Sequence, residues 1–247
     1  GITAAAIDTI TAFHSQNLSN LVWSFATLLL PNDPLLRQVA PAAARLVAET
    51  DAQGLSNTAW AFARLEMRHE RLMATIGTEA LQKLGDFTGQ NMSNLVWAYA
   101  NVDILNMPVL SAISRRSLNM IHELDPQTLA NTAWAFAALE VRDVPLIDGI
   151  SERALETMSA WTSQELSTPA WSYGRLGILH VPLLQATARL SSAHLAEMTL
   201  QHVSNTAWAY EVLDAPPELT RTLLDSCSQE LPRLVADAVR EPCTHGV

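Results

Sequence analysis

Lysine is almost absent: Lys83 stands alone among 15 basic residues, the other 14 being arginines. Aspartate and glutamate number 25, which gives a formal net charge of −10. That balance speaks against sequence-independent binding of polyanions, which draws its affinity from many Lys and Arg neutralising phosphates. A basic set made of arginines suits fixed, forked contacts instead. Cysteine is nearly as scarce, and the two present, Cys227 and Cys243, lack CxxC spacing. Neither a disulfide scaffold nor a zinc site is signalled, and a reducing compartment is the default. The longest apolar stretch, Leu21 to Pro31, is interrupted by Ser24 and Thr27 and falls far short of the ~20 residues that span a bilayer, so no membrane insertion is expected. No signal peptide is visible, although a chain starting at Gly1 is compatible with a removed address. There is no HExxH, no Gly-rich phosphate loop and no GxSxG. The seven histidines lack ligand spacing, and His194 with Glu197, one turn apart, falls short of the ligand set a metal needs. We therefore expect no enzyme activity, no cofactor and no metal.

What the sequence does have is apolar content, 49% of 247 residues, enough to bury a real core and to exclude intrinsic disorder. It also repeats. Trp23, Trp60, Trp97, Trp134, Trp171 and Trp208 follow one another at intervals of 37 residues without one insertion. Seven residues before each stands Gln16, Gln53, Gln90, Gln127, Gln164 or Gln201. Three before comes Asn20, Asn57, Asn94, Asn131 or Asn205, with Thr168 the exception, and two after comes an aromatic: Phe25, Phe62, Tyr99, Phe136, Tyr173, Tyr210. A period of this size marks stacked two-helix units. The expected fold is all-α, an α-solenoid of six 37-residue two-helix repeats. Residues 1–14 form the second helix of a truncated repeat; the repeats are 15–51, 52–88, 89–125, 126–162, 163–199 and 200–236; 237–247 is a tail.

Within each repeat, Asp51, Thr88, Asp125, Thr162 or Thr199 is placed to cap the first helix, Pro126 occupies the favoured first position of its helix, and an apolar residue before the cap forms a hydrophobic staple. Pro34, Pro108, Pro145 and Pro182 open the second helices, whose apolar residues recur at four-residue steps, as in Leu146, Ile150, Ala154 and Met158. Repeat six departs from the pattern, with Glu211 at a small-residue position and Pro232 inside its second helix; Pro169 should bend the first helix of repeat five.

Counting from the Trp and projecting at about 100° per residue, the aromatic and leucine positions (−5, −2, +2, +5) face the second helices. The Trp, the Gln at −7 and the small residue at +3 fall where successive repeats meet. Between them runs a stripe at −6, −3, +1, +4 and +8, contiguous by its three- and four-residue steps, and this is the candidate binding face. Position +1 is always Ser or Ala, which would let a ligand approach closely, and −3 is the Asn row. Position −6 varies through Asn17, Gly54, Asn91, Thr128, Glu165 and His202; position +4 varies through Thr27, Arg64, Asn101, Ala138, Arg175 and Val212; position +8 adds Arg68 and Arg142. A fixed frame with variable polar letters is how a one-unit-per-base reader of single-stranded RNA would look.

Each position has a plainer alternative. The tryptophans fit a packed core better than base-stacking platforms, since small residues flank them in a fixed register. The Asn row either satisfies backbone groups between repeats or meets a ligand. The Gln row fits end-of-helix hydrogen bonding, and Glu165 completes a capping box with Thr162. The arginines are either phosphate ligands or solvated charges. Acids at +6, Glu66, Asp103, Glu140 and Asp214, form a solvated edge or a docking surface for a basic protein.

The segments LSNTAWAFARL (55–65), LANTAWAFAAL (129–139) and VSNTAWAYEVL (203–213) resemble the first helix of the octotricopeptide and heptatricopeptide repeats, families of organellar α-solenoids; the resemblance covers 15–236 and the period favours the heptatricopeptide type. It implies a non-enzymatic protein binding single-stranded RNA in a mitochondrion or plastid, in processing, stability or translation. No RAP domain of the kind many relatives carry is visible after Val235. Some relatives are building blocks of organellar ribosomes or other large complexes, so a scaffold subunit acting through protein contacts is the alternative expectation. On the RNA reading, the Asn row (Asn20, Asn57, Asn94, Asn131, Asn205) contacts RNA. Asn17, Asn91, Thr128, His202 and Asn101 then select bases, while Arg64, Arg68, Arg142 and Arg175 hold phosphates.

Overall fold

The structure is a computed structural model that describes residues 2–240, and those residues are helical with no strand. They divide between Leu124 and Asp125 into two compact units. The first contains α1 (Ile2–Thr9), α2 (Ser15–Thr27), α3 (Asp33–Leu46), α4 (Ala52–Arg64), α5 (Glu70–Gln82), α6 (Gly89–Asn101) and α7 (Met107–Asn119). The second contains α8 (Pro126–Ala138), α9 (Val144–Thr157), α10 (Ser163–Leu176), α11 (Val181–Ala193), α12 (Leu200–Val212) and α13 (Pro217–Arg240). The even-numbered helices α2 to α12 are the first helices of the six repeats, and each 37-residue repeat is one helix pair, making the fold an all-α solenoid. One feature differs from expectation. Helix α13, with Pro232 inside it as the sequence indicates, runs past position 236 to Arg240; residues 241–247 of the expected tail, with Cys243, lie outside the described residues. Helix α10 contains the buried Pro169 within its span, again as the sequence indicates.

The helix starts follow the sequence signals. Asp51, Thr88, Asp125, Thr162 and Thr199 each accept the N–H three residues on, from Gly54, Asn91, Thr128, Glu165 and His202, satisfying a donor that the helix itself cannot. The second helices are capped in the same way by residues the sequence pattern does not single out. Asn32, Asn106 and Asp143 accept through side-chain oxygens, and His69 and His180 through Nδ1 at 3.1 and 3.2 Å.

The ends of the first helices share one device. At +6 the chain turns into the left-handed region, at Leu29, Glu66, Asp103, Glu140 and Asp214 with φ from 47 to 57°, and at Gly177 with φ 63°. The N–H of the next residue then returns to the +2 carbonyl, as in Met67 N to Phe62 O at 2.9 Å, which closes the helix. The acidic row at +6 is thus built into the turn rather than a mere edge. Only glycine holds this conformation without a Cβ penalty of roughly 1 kcal/mol or more. Leu29→Gly is therefore expected to raise unfolding free energy by about 1 kcal/mol, and Gly177→Ala to lower it by about as much; urea titration with the opposite order would contradict the shared turn.

The core lies between the two helix layers. Phe62, Tyr99, Phe136, Tyr173 and Tyr210 at +2 are each at most 1% exposed. The Tyr99, Tyr173 and Tyr210 hydroxyls donate to the carbonyls of Met73, Ile147 and Leu184 on the preceding second helix, at 2.7, 2.8 and 3.0 Å. Burial pushes the Tyr99 hydroxyl up to about 12 and raises the other two further, so all three remain donors across the working pH range. Ser151 also bonds the Tyr173 hydroxyl. The solitary lysine is structural. Lys83 Nζ donates to Ala48 O (2.7 Å) and Thr50 O (2.9 Å) and pairs with Glu79 (2.9 Å), tying the end of α5 to the turn after α3.

Candidate functional site

Within each unit the first helices pack against one another far more closely than most second helices do, so they form the more tightly packed layer. Two flanks of each first helix make these contacts. Positions −4 and +3 of one helix meet positions −6 and +1 of the next. Asn91 Nδ2 (−6) donates to Ser56 Oγ (−4) at 3.2 Å. A Cβ added to Gly174 (+3) would lie 3.0 Å from Ala209 Cα and 3.1 Å from its Cβ (+1). Ala61, Ala135 and Ala209 at +1 are 0% exposed, so the small residues at +1 serve helix packing and not ligand approach.

This changes the composition of the candidate face. Position −6 is also occupied by capping: Asn17, Asn91, Glu165 and His202 accept the backbone N–H of His14, Thr88, Thr162 and Thr199, and Thr128 is buried. Asn17, Asn91, Thr128 and His202 are therefore held by cap and inter-repeat contacts rather than presented as base selectors. Asn101 donates to Ala63 O at 2.8 Å. Of the arginines, Arg68 pairs with Glu70 at 3.0 Å and Arg175 with Glu140 at 2.6 Å. Arg64, half-buried on α4, and Arg142, exposed in the loop after α8, have no acidic partner among the described residues.

Between the two flanks lies an open strip at −7, −3, 0 and +4, stepping by four, three and four residues along one helix face. All six glutamines at −7 are exposed. The tryptophans, expected in the core, are on this strip as well. Trp23 is 45% and Trp208 40% exposed, and the four between are half-buried. Within the first unit Trp60 and Trp97 lie 6.3 Å apart between ring centroids, tilted by 36°; within the second Trp134 and Trp171 lie 6.3 Å apart at 25°. Such pairs are offset aromatic contacts, and they leave ring surface to solvent. The seventh tryptophan, Trp161, differs, being 2% exposed with its Nε1 donating to Thr157 Oγ1.

The Asn row faces outward beside the rings. Asn20 is exposed and Asn57, Asn94, Asn131 and Asn205 are half-buried. Asn205 Oδ1 accepts from Gln201 Nε2 at 2.7 Å; the side chains of the other four have no hydrogen-bond partner among the described residues. They do not serve backbone groups between repeats. Gln16 and Asn20 on α2, with Gln53 and Asn57 on α4, line a polar groove of about 400 Å³.

A helical projection misplaces the strip because the two packing flanks sit about 160° apart, one on each side of it, and an invariant tryptophan resembles a core residue. The signal that locates it is the contiguous −7, −3, 0, +4 spacing. Elsewhere, His194 Nδ1 stands 3.7 Å from Glu197. Among the described residues no group of three His, Cys, Asp or Glu is placed to hold a metal ion, and no helix is long and apolar enough to cross a membrane.

The cap at His202 has a pH consequence. Burial lowers its pKa below the usual histidine value, so as pH falls the unfolded chain takes up this proton before the folded one does. The contribution is present above the unfolded pKa of about 6.5 and is lost as pH falls through the lower folded value. His202→Asn keeps an acceptor and should flatten the acid limb of stability as pH falls below about 6.5; an unchanged limb would contradict the assignment.

Compared with known families, residues 2–213 match the model described as RNA-editing substrate-binding complex 6 protein. No octotricopeptide-repeat family model matches. No curated protein matches the chain.

Proposed function

The chain belongs to the RNA-editing substrate-binding complex 6 protein family, and from that premise we propose that it is a non-enzymatic helical-repeat subunit of an RNA-editing substrate-binding complex. It contacts single-stranded RNA along the open strip of its first helices and acts in the mitochondrion, not in a plastid. The observation that carries the RNA reading is the row of outward amides at Asn20, Asn57, Asn94 and Asn131, without protein partners among the described residues and in register beside exposed indole surface. Amides and aromatic rings are the groups that meet unpaired bases. Arg64 and Arg142 supply phosphate contacts, since neither is neutralised by an acid among the described residues. The exposed acids Glu66, Asp103 and Asp214 favour contacts with basic proteins of the same assembly as a second surface.

Titrating labelled single-stranded RNA into the full chain at several salt concentrations tests this. Saturable binding with a shallow salt dependence is expected, and Arg64→Ala should reduce the log-log slope by about 0.7, one phosphate contact. A slope unchanged by Arg64→Ala sinks the phosphate assignment. Failure to bind any RNA pool, with stable co-purification in a protein complex, would make the chain a protein scaffold instead.

A further inference from the structure

A reader of base sequence needs different side chains at different repeats, two or three per base. The open strip lacks that variety. Position −7 is Gln in six repeats of six, 0 is Trp in six of six and −3 is Asn in five of six. The varied −6 residues are occupied by capping and packing, which leaves +4 as the one variable position on the strip. Two of its polar members, Asn101 and Arg175, already hold Ala63 O and Glu140. Each repeat therefore offers nearly the same chemistry, and a surface of that kind recognises what recurs along the ligand.

Resting on the RNA reading above, we infer that the tryptophan row is a stacking platform binding single-stranded RNA with little regard to base sequence. The common feature of all bases is the π-face, which an indole accepts whichever base carries it. The Trp60–Trp97 and Trp134–Trp171 contacts extend this aromatic surface from one helix to the next, and the Asn and Gln amides beside it meet sugar, phosphate or base edges. With Arg64 the one arginine on the strip that has no acidic partner among the described residues and a net charge of −10, stacking rather than phosphate neutralisation supplies most of the affinity. The same geometry explains why a costly aromatic is left half-exposed in every repeat, where a core role would bury it as it buries Trp161.

The test compares oligo-U, oligo-A and mixed-sequence RNA of one length on the full chain, read by anisotropy and by tryptophan emission. Trp23→Leu and Trp208→Leu remove the two most exposed rings while keeping apolar bulk, and circular dichroism melting checks that each variant is folded. Affinities for the three RNAs should agree within about fivefold, emission should be quenched, and each variant should lose about tenfold in affinity. A preference above about a hundredfold for one sequence overturns the inference, as does unchanged affinity in both folded variants. Binding lost instead in Asn57→Ala and Asn94→Ala alone assigns recognition to the amides and also overturns it. If the wild-type chain binds none of the three but binds an extended basic peptide, the RNA reading itself fails.

Discussion

Ala209→Leu is expected to lower the unfolding free energy by about 3 kcal/mol, near the top of what overpacking costs. Ala209 is fully buried at +1 of α12, and Gly174 on α10 lies opposite it, so close that a Cβ there would sit 2.9 Å from Trp208 Cζ3 and 3.0 Å from Ala209 Cα. Three further carbon atoms at Ala209 have no space unless α10 and α12 separate, which would also uncover the neighbouring −4 and −6 contacts. Had +1 faced a ligand, as the sequence suggests, the exchange would leave stability within about 0.5 kcal/mol, as surface changes do. The urea midpoint decides between these outcomes.

Gly77→Ala is expected to destabilise by about 2 kcal/mol, reversing the gain of roughly 1 kcal/mol that alanine normally brings to a helix interior. Gly77 lies inside α5, where an added Cβ would collide with the Tyr99 hydroxyl and come within 2.9 Å of Asn106 Nδ2 and 3.0 Å of Val109 Cγ2. Moving that hydroxyl breaks its bond to Met73 O, and a buried carbonyl loses one of its donors. In the double variant Gly77→Ala, Tyr99→Phe the hydroxyl is gone, so the alanine should then cost less than in the wild type by about 1 kcal/mol or more. Equal costs in the two backgrounds would contradict the clash. The corresponding site is resolved differently in the second unit, where Ser151 stands beside Tyr173 and bonds it.

The helical pairs are legible in the sequence because their signals are local. A capping Asp or Thr and a Pro at a helix start act within one turn, and the unbroken 37-residue interval places every first helix. The histidine caps at His69 and His180 escape such a reading because Nδ1 acceptance depends on tautomer and rotamer, which composition does not show. The left-handed turn at +6 is hidden by its occupants, since Leu29 and Glu66 are not residues that announce positive φ. The open strip is legible only in part. Asn57 and Arg64 lie on it, but Asn91 and His202 belong to caps, and Trp60, which reads better as packing than as a stacking platform, also lies on it. Each helix has two packing flanks, and a wheel drawn for one helix does not say which arc its two neighbours cover. That is settled by where −4 and +3 of one repeat meet −6 and +1 of the next.

Ultraviolet crosslinking of bound RNA, followed by mass spectrometry of the protein peptides, tests most directly whether single-stranded RNA lies along the −7, −3, 0 and +4 strip of the first helices. Crosslinks are expected within 16–27, 53–64, 90–101, 127–138, 164–175 and 201–212, centred on the tryptophans, with none on α3, α5, α7, α9 or α11. Crosslinks concentrated on those second helices, or at the acidic +6 turns, would contradict it.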